Sequence, residues 1–224
     1  MHSAIIVAAG RGTRMGPAID KLFLEVAGRP VVAHTWARFD AAPLVGEIIL
    51  VVRAGMETAF QEIAATLALT KPFRLTTGGA ERQDSVWNGL QAVGADAEVV
   101  AIHDGARPCV AQGLISSVLQ AARETGAAVA AQRVTDTLKH SDDGATITRT
   151  IDRTKLWSVQ TPQAFRVSVI RQAIAAARER GLNLTDDTAA CELIGQAVRL
   201  VESHQPNPKV TVPGDLPFIE SLLR

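Results

Sequence analysis

Short apolar runs alternate with longer amphipathic stretches along almost the whole chain, and no other feature constrains the fold as strongly. The runs are rich in alanine and β-branched residues, as is typical of strands buried on both faces of a sheet, and cover residues 4–9, 48–52, 99–102, 127–131 and 198–201. The stretches have helical spacing and cover residues 31–39, 57–68, 85–93, 112–125 and 168–180. Because parallel neighbours need a crossover connection, the pattern predicts an α/β fold with a mostly parallel, twisted sheet and helices on both faces. No linker interrupts the pattern, so we expect one domain over residues 1–224.

One region, residues 134–165, departs from the alternation because it lacks a long apolar face and is rich in threonine and charged residues. Asp143 and Gly144 favour a hairpin turn between strands at residues 135–139 and 146–151. A two-stranded ribbon is only marginally stable alone in water. We therefore expect a projecting β-hairpin arm that packs on the rest of its own chain or on a second copy of the chain.

The charge balance limits what the chain can bind. It has 23 basic and 23 acidic side chains and a formal net charge of zero, so it lacks the broad positive surface that binds nucleic acid or an anionic membrane. No run approaches the roughly 18 apolar residues of a membrane helix, and no basic segment precedes the first run. We expect a cytoplasmic protein that binds neither nucleic acid nor membrane. Cys109 and Cys191, the only cysteines, are expected to be buried, reduced thiols.

The first apolar run leads into a glycine-rich turn, residues 8–16, which is a candidate phosphate loop. Gly10 and Gly12 allow backbone N–H groups to approach a phosphate closely, although the spacing matches neither the dinucleotide-binding turn nor the NTPase P-loop. Arg14 and Lys21 supply fixed positive charge of the kind that stabilises a phosphoryl or nucleotidyl group during transfer. The alternative is a solvated turn with ordinary surface cations.

A second candidate segment, residues 103–108, directly follows the third apolar run. Asp104, at the carboxyl end of a buried strand, is placed to hold Mg²⁺, and Arg107 is placed to meet a second phosphate. The alternative is an ordinary turn that ends the strand. His103 is expected to be structural or solvent-facing.

A third candidate segment, residues 77–86, has two glycines before a polar helix start. In one interpretation, Asp84 or Ser85 caps the helix. In the other, backbone groups at Gly79 and Ala80 and the Ser85 hydroxyl read the edge of a base. Composition does not choose between them.

These three segments, in this order, resemble the 2-C-methyl-D-erythritol 4-phosphate cytidylyltransferases of the non-mevalonate isoprenoid pathway. The likeness continues through motifs at residues 152–153, 161–163, 185–187 and 209–211, and so spans nearly the whole chain. The resemblance implies a Rossmann-like fold and transfer of the cytidylyl group of CTP to 2-C-methyl-D-erythritol 4-phosphate. The products would be 4-diphosphocytidyl-2-C-methyl-D-erythritol and pyrophosphate, with Mg²⁺ as the cofactor. It also implies a homodimer in which the arm, residues 134–165, reaches the partner's site.

The resemblance further implies roles for individual residues. Arg14 and Lys21 would stabilise the transition state at the α-phosphate of CTP, and Asp104 would bind Mg²⁺. Arg153, acting in trans, and Lys209 would position the acceptor phosphate. The positions that match cytidine-binding residues of the family are Ala8, Ala9, Gly10, Gly79, Ala80 and Ser85, with Gly12 in the same loop, and further candidates for substrate contact are Arg107, Thr135, Thr137 and Thr161.

Two positions depart from the family pattern, since many relatives have an acidic residue in place of Ala80 and an alanine in place of Gly105. Three other functions remain open at this point. One is a cytidylyltransferase for another polyol phosphate, such as ribitol 5-phosphate, and another is a CTP-binding module without turnover. The third is a nicotinamide-dependent oxidoreductase, which the glycine spacing and the cations Arg14 and Lys21 disfavour.

Overall fold

The computed structural model describes residues 1–10 and 20–224, and this part of the chain contains eleven strands and seven α-helices. The strands are β1 (His2–Ala8), β2 (Glu25–Val26), β3 (Arg29–Pro30), β4 (Val45–Val52), β5 (Phe73–Thr77), β6 (Val99–Asp104), β7 (Ala127–Arg133), β8 (Leu138–His140), β9 (Arg149–Ile151), β10 (Trp157–Arg166) and β11 (Arg199–Glu202). The helices are α1 (Val31–Asp40), α2 (Glu57–Thr66), α3 (Arg82–Ala92), α4 (Gln112–Thr125), α5 (Val167–Glu179), α6 (Asp187–Leu193) and α7 (Leu216–Leu223).

Seven of the strands form one sheet in the order β11-β7-β10-β6-β1-β4-β5. The pairs of β1 with β4 and β6, β4 with β5, and β7 with β11 are parallel, whereas β10 runs antiparallel to both of its neighbours. The register places Val7 beside Asp104 and Ala8 beside Val52. The carboxyl ends of β1, β4 and β6 therefore meet at one edge, as the predicted mostly parallel sheet requires.

Helices cover both faces of the sheet, which confirms the predicted architecture. Successive side chains of a strand point to opposite faces. Ile6 belongs to the core with Trp36 of α1, while the adjacent Ile5 belongs to the other core with Leu90 of α3 and Ile170 of α5. Each buried strand thus contributes apolar side chains to two cores, which explains why its sequence is continuously apolar.

The predicted arm is shorter than residues 134–165. Only β8 and β9 form the two-stranded ribbon, with Asp143 and Gly144 in the connection as expected. Residues 157–165 instead belong to β10, near the middle of the main sheet. The pattern did not predict β10 because its first residues are partly exposed and its buried part includes Thr161 and Gln163.

Other elements also differ from the prediction. The strand expected at residues 198–201 is β11, which is an edge strand and not buried on both faces, since Leu200 is 42% exposed. The edge strand β5 and the short helices α6 and α7 were not predicted. Edge strands and short helices bury few side chains, so their apolar periodicity is weak.

The two cysteines are buried and free, as expected. Burial raises the pKa of the Cys109 thiol to about 11 and that of Cys191 to about 12. Both groups are therefore protonated near neutral pH, where a thiol is a poor nucleophile.

Gly89 sets how closely α3 approaches the sheet. A Cβ at this position would lie 2.9 Å from Cγ2 of Ile5 and 3.0 Å from Cγ2 of Val51. We expect Gly89→Val to lower the free energy of unfolding by about 1–3 kcal/mol, because a packed core resists added methyl groups. Urea unfolding measures the change, with Gly113→Val in α4 as the matched control because a Cβ there meets open space. A Gly89→Val protein no less stable than the control would contradict this packing.

Candidate functional site

A cavity of about 650 Å³ lies where β1, β4 and β6 end and α3 begins. This volume is within the usual range for small-molecule sites. Segments made of glycine and alanine, residues 9–10 and 78–80, form part of its lining. Its charged lining side chains in the described chain are four cations and two carboxylates: Lys21, Arg53, Arg82 and Lys209, against Glu81 and Asp104. The excess of positive charge favours a polyanionic ligand.

The backbone of the turn before α3 lies close to the end of β1. A Cβ on Gly78 would lie 2.4 Å from Cβ of Ala9, so only glycine fits there. The Ser85 hydroxyl oxygen accepts a hydrogen bond from the N–H of Gly79 (3.1 Å) and the hydroxyl donates to the carbonyl of Glu81 (3.2 Å). The side chain of Ser85 therefore holds the glycine turn in place while lining the cavity.

The N-cap residue of α3 is Glu81, rather than Asp84 or Ser85. The carboxylate of Asp84 accepts a hydrogen bond from the backbone N–H of Glu81 at 3.3 Å, and so satisfies a donor at the start of the helix from one turn inside it. In the third segment, Asp84 stabilises the helix start, while Gly79, Ala80 and Ser85 line the cavity. That these three residues read the edge of a base stays a prediction.

Asp104 is the centre of an ionic cluster at the end of β6. Its carboxylate accepts a hydrogen bond from Nζ of Lys209 at 2.7 Å and lies 3.7 Å from Nε of Arg82 and from Nε of Arg107. Burial alone would raise the pKa of Asp104, but the cations, Lys209 above all, outweigh burial and hold this pKa well below its usual range. Asp104 is therefore ionised at neutral pH and is the most buried carboxylate in the cavity lining.

The segment that carries Lys209 is fastened over the turn that follows Asp104. The N–H of Val210 donates to the carbonyl of Ala106 at 2.8 Å. Nζ of Lys21, which is largely buried, donates to the carbonyl of Val210 at 2.8 Å. Lys21 and Lys209 therefore reach the same cavity from segments nearly at opposite ends of the chain.

Arg82 and Arg53 line the cavity, although no sequence motif marked them as candidate site residues. Nη2 of Arg53 forms an ion pair with Asp20 at 2.9 Å. The guanidinium of Arg82 donates two hydrogen bonds to Asp187, at 2.9 and 2.7 Å. Burial raises the pKa of Asp187 although Arg82 opposes it, and the side chain of Asp187 is only 2% exposed.

Asp187 is itself held by β10. Its backbone N–H donates to Oε1 of Gln163 at 3.0 Å, and Nε2 of Gln163 donates to the carboxylate of Asp186 at 2.9 Å. These residues belong to the motifs at residues 161–163 and 185–187, which are part of the resemblance to the family. The structure adds a physical reason for them, since they orient Arg82 toward the cavity.

His103 is structural, one of the two predicted alternatives. It is fully buried, with Nε2 3.2 Å from the carbonyl of Arg107 and Nδ1 3.0 Å from the hydroxyl of Thr161. Burial lowers the pKa of His103 to about 4, so the ring is neutral at neutral pH. The Thr161 hydroxyl also accepts the N–H of Asp104 at 3.1 Å, and Thr161 is not among the residues that line the cavity.

The structure brings together only part of the predicted site. Among the predicted residues, those that line the cavity are Ala9, Gly10, Lys21, Gly79, Ala80, Ser85, Asp104 and Lys209. Ala8 is buried at the end of β1, and Nη1 of Arg107 donates to the carbonyl of Asn207 at 2.7 Å. The arm residues Thr135, Thr137 and Arg153 are exposed, and Arg153 hydrogen-bonds the carbonyl of Thr135. Gly12 and Arg14 lie outside the described residues.

A divalent cation fits this donor set only if a substrate supplies most of its ligands. The described residues contain no cluster of three histidine, cysteine or acidic side chains able to hold a metal. Mg²⁺ is commonly bound through one or two carboxylates together with substrate phosphates and water. The ionised carboxylate of Asp104, in a cavity suited to a polyphosphate, matches this mode of binding.

Comparison with known protein families matches residues 2–224 to 2-C-methyl-D-erythritol 4-phosphate cytidylyltransferase. The chain belongs to this family. The cytidylyltransferase of that name from Geobacillus kaustophilus is 44% identical over 222 residues, which cover 99% of this chain and 96% of that protein. The resemblance inferred from the ordered motifs is thereby confirmed, and the chain is a nucleotidyltransferase.

Solved structures of the family share the fold of this chain. The 4-diphosphocytidyl-2C-methyl-D-erythritol synthase of Anaerococcus prevotii superposes with a TM-score of 0.87 at 31% identity, covering 100% of this chain and 96% of the other. The cytidylyltransferase of Thermus thermophilus superposes with a TM-score of 0.82 at 34% identity, covering 99% and 98%. Among the described residues, no helix has both the length and the apolar content needed to cross a membrane.

The pair of Arg82 and Asp187 generates a prediction about stability. Replacing Arg82 by methionine leaves a buried carboxylate without its partner, so we expect Arg82→Met to cost about 3 kcal/mol or more in free energy of unfolding. Adding Asp187→Asn should recover part of this loss. The control is Arg178→Met, because Arg178 pairs with Asp84 at 2.8 Å, but the Arg178 side chain is exposed (42%) and that of Asp84 is partly exposed (31%).

An exposed ion pair contributes about 1 kcal/mol at most. Urea unfolding of the three variants and the native protein gives the comparison. Equal losses for Arg82→Met and Arg178→Met would show that burial of Asp187 does not raise the cost of breaking its pair.

Proposed function

We propose that this chain transfers the cytidylyl group of CTP to 2-C-methyl-D-erythritol 4-phosphate, forming 4-diphosphocytidyl-2-C-methyl-D-erythritol and pyrophosphate. The observation that carries the proposal is a positively charged cavity at the carboxyl ends of β1, β4 and β6 in a chain that matches the family over residues 2–224. We further propose that the unit is a single nucleotidyltransferase domain over residues 1–224.

The reaction needs no covalent intermediate on the protein. An oxygen of the acceptor's phosphate attacks the α-phosphorus of CTP, and a new P–O bond forms. The bond from the α-phosphorus to its bridging oxygen breaks, and pyrophosphate leaves with the electron pair. The protein has to align the two reactants and offset the repulsion between their anionic groups. The two protonated thiols have no part in these steps.

The glycine turn and the end of β1 are placed to hold the nucleoside. Gly78 and Gly79 line the cavity beside Ala9 and Gly10, which follow the end of β1. A base read by backbone groups is insensitive to the side chain at position 80, so the alanine found there is compatible with binding of cytidine.

The cations of the cavity are placed to hold the triphosphate and to stabilise charge that develops during transfer. Lys21 and Arg82 have fixed positions because Val210 and Asp187 accept their hydrogen bonds. Fixed cations stabilise a transition state without the cost of reorganising solvent. We assign Arg14, from the adjacent glycine-rich loop, to the same role at the α-phosphate.

Asp104 is the residue that would hold a divalent cation. The cation would neutralise phosphate charge, and we propose that it is Mg²⁺, held by Asp104 together with phosphate oxygens. Lys209 donates to Asp104 in the described chain. When the carboxylate of Asp104 takes another partner, Nζ of Lys209 becomes available to hold the acceptor phosphate.

The arm supports the proposal of a homodimer. Thr135, Thr137 and Arg153 are exposed, and none of them is among the lining residues of the cavity in their own chain. A role in substrate contact therefore requires that the arm reach a cavity in a second copy. We propose that the arm is exchanged between protomers and that Arg153 contacts the acceptor in trans.

Arg14 tests the assignment of the transition-state cations. We expect Arg14→Ala to lower kcat by about 10²-fold or more, because the lost contact stabilises charge in the transition state. Pyrophosphate release with CTP, Mg²⁺ and the acceptor is the measurement, and the exposed Arg180→Ala is the control. Tight CTP binding with unchanged turnover would exclude the assigned role of Arg14. If the native protein released pyrophosphate with ribitol 5-phosphate but not with 2-C-methyl-D-erythritol 4-phosphate, the proposed acceptor would be wrong.

Arg153 tests the proposed contact of the arm. We expect Arg153→Ala to raise KM for the acceptor about tenfold or more, since a charge-assisted contact to phosphate is lost, and to leave the affinity for CTP unchanged. Arg149→Ala, an arginine of the same arm, is the control. Steady-state kinetics with each substrate varied in turn gives both constants. Loss of CTP binding with an intact acceptor KM would contradict the assignment.

A further inference from the structure

We propose that His103 is a positioning residue that orients Asp104 through the hydroxyl of Thr161. The inference rests on the proposed function, because it concerns how the proposed transfer site holds Asp104 in place. Three hydrogen bonds carry it: Nε2 of His103 with the carbonyl of Arg107 (3.2 Å), Nδ1 with the Thr161 hydroxyl (3.0 Å), and the N–H of Asp104 with the same hydroxyl (3.1 Å).

The partners determine the direction of every bond. A carbonyl only accepts, so the proton of the neutral His103 ring is on Nε2 and donates to Arg107. Nδ1 then accepts, which requires the Thr161 hydroxyl to donate its proton to the ring. The hydroxyl oxygen keeps a lone pair, and the N–H of Asp104 donates to it. All donors and acceptors in this chain of bonds are satisfied in only one arrangement.

The surroundings prevent these groups from rearranging. His103 is fully buried, and its ring centroid lies 4.8 Å from that of Phe39 of α1. The carbonyl of Thr161 accepts a hydrogen bond from Nδ2 of Asn207 at 2.8 Å. Thr161 is thus held from two sides, and its hydroxyl forms a fixed point between β10 and the end of β6.

The arrangement matters because Asp104 must present its carboxylate to a ligand from the last position of β6. Its carboxylate is surrounded by cations, which attract it in several directions. The backbone bond to Thr161 limits how far the residue can turn. In sites of this kind, a group that orients a metal-binding or catalytic residue typically changes affinity or activity by about 10–100-fold when removed.

Two substitutions of His103 separate positioning from packing. His103→Phe keeps a flat aromatic ring, although a larger one, and removes both hydrogen bonds, whereas His103→Asn retains a polar atom near the position of Nδ1 that can accept from Thr161. We expect His103→Phe to lower kcat and to weaken divalent-cation binding by about 10-fold or more, with KM for the acceptor unchanged. His103→Asn should restore most of both quantities. His34→Phe is the matched control. The ring of His34 also forms a hydrogen bond with a backbone carbonyl, but His34 does not line the cavity.

A double-mutant cycle tests the path through Thr161. If His103 acts on Asp104 through the hydroxyl, Thr161→Val reproduces the effect of His103→Phe, and the double variant is no worse than either single variant. Cation binding is measured independently of turnover, as Mn²⁺ affinity in the presence of CTP. Circular dichroism and thermal unfolding of each variant define temperatures at which all of them are folded.

Three results would overturn the proposal. One is equal kcat and equal Mn²⁺ affinity in His103→Phe and His103→Asn. Another is an additive double-mutant cycle, and the third is a matching loss in His34→Phe. If native protein binds CTP and Mn²⁺ but releases no pyrophosphate with any acceptor, the proposed function is wrong, while the Mn²⁺ affinities still decide whether His103 positions Asp104.

Discussion

The organisation of the site depends on the ionic interaction between the carboxylate of Asp104 and the cations around it. The carboxylate is almost completely surrounded by protein at the end of β6, and an ionised group in that position is costly unless cations compensate it. Lys209, Arg82 and Arg107 provide the compensation, and each comes from a different segment of the chain. The cluster therefore holds the start of α3, the turn after β6 and the segment around residue 209 close together.

Each of these cations, or the segment that carries it, is fixed in turn by a further partner. Asp187 holds Arg82, the carbonyl of Asn207 holds Arg107, and Val210 is held by the carbonyl of Ala106. This arrangement suits a reaction in which two anionic substrates must approach each other, because the positive charge is in place before they bind. It also explains why β10 and α6 contain buried polar residues, since these residues hold the partners of the cations in place.

The strand β10 shows where local sequence is a poor guide. A buried parallel strand has apolar residues on both faces, and the pattern revealed β1, β4, β6 and β7. In β10, however, Thr161 and Gln163 are buried because their side chains hydrogen-bond to His103, Asp186 and Asp187, and these partners are distant in sequence. No apolar periodicity accompanies such residues, so the sequence pattern predicts this segment as part of the arm.

The sequence by itself determined the layered α/β architecture, the edge of the sheet at which the cavity lies, and eight of the residues that line the cavity. It could do so because burial periodicity and glycine-rich turns are local properties of a chain. The tertiary structure decided which charges meet: Lys209 with Asp104 and Arg82 with Asp187, each pair 105 residues apart. It also decided that Thr161 turns its hydroxyl toward His103 and Asp104. Such pairings depend on the order of strands and on the packing of helices, which no local pattern encodes.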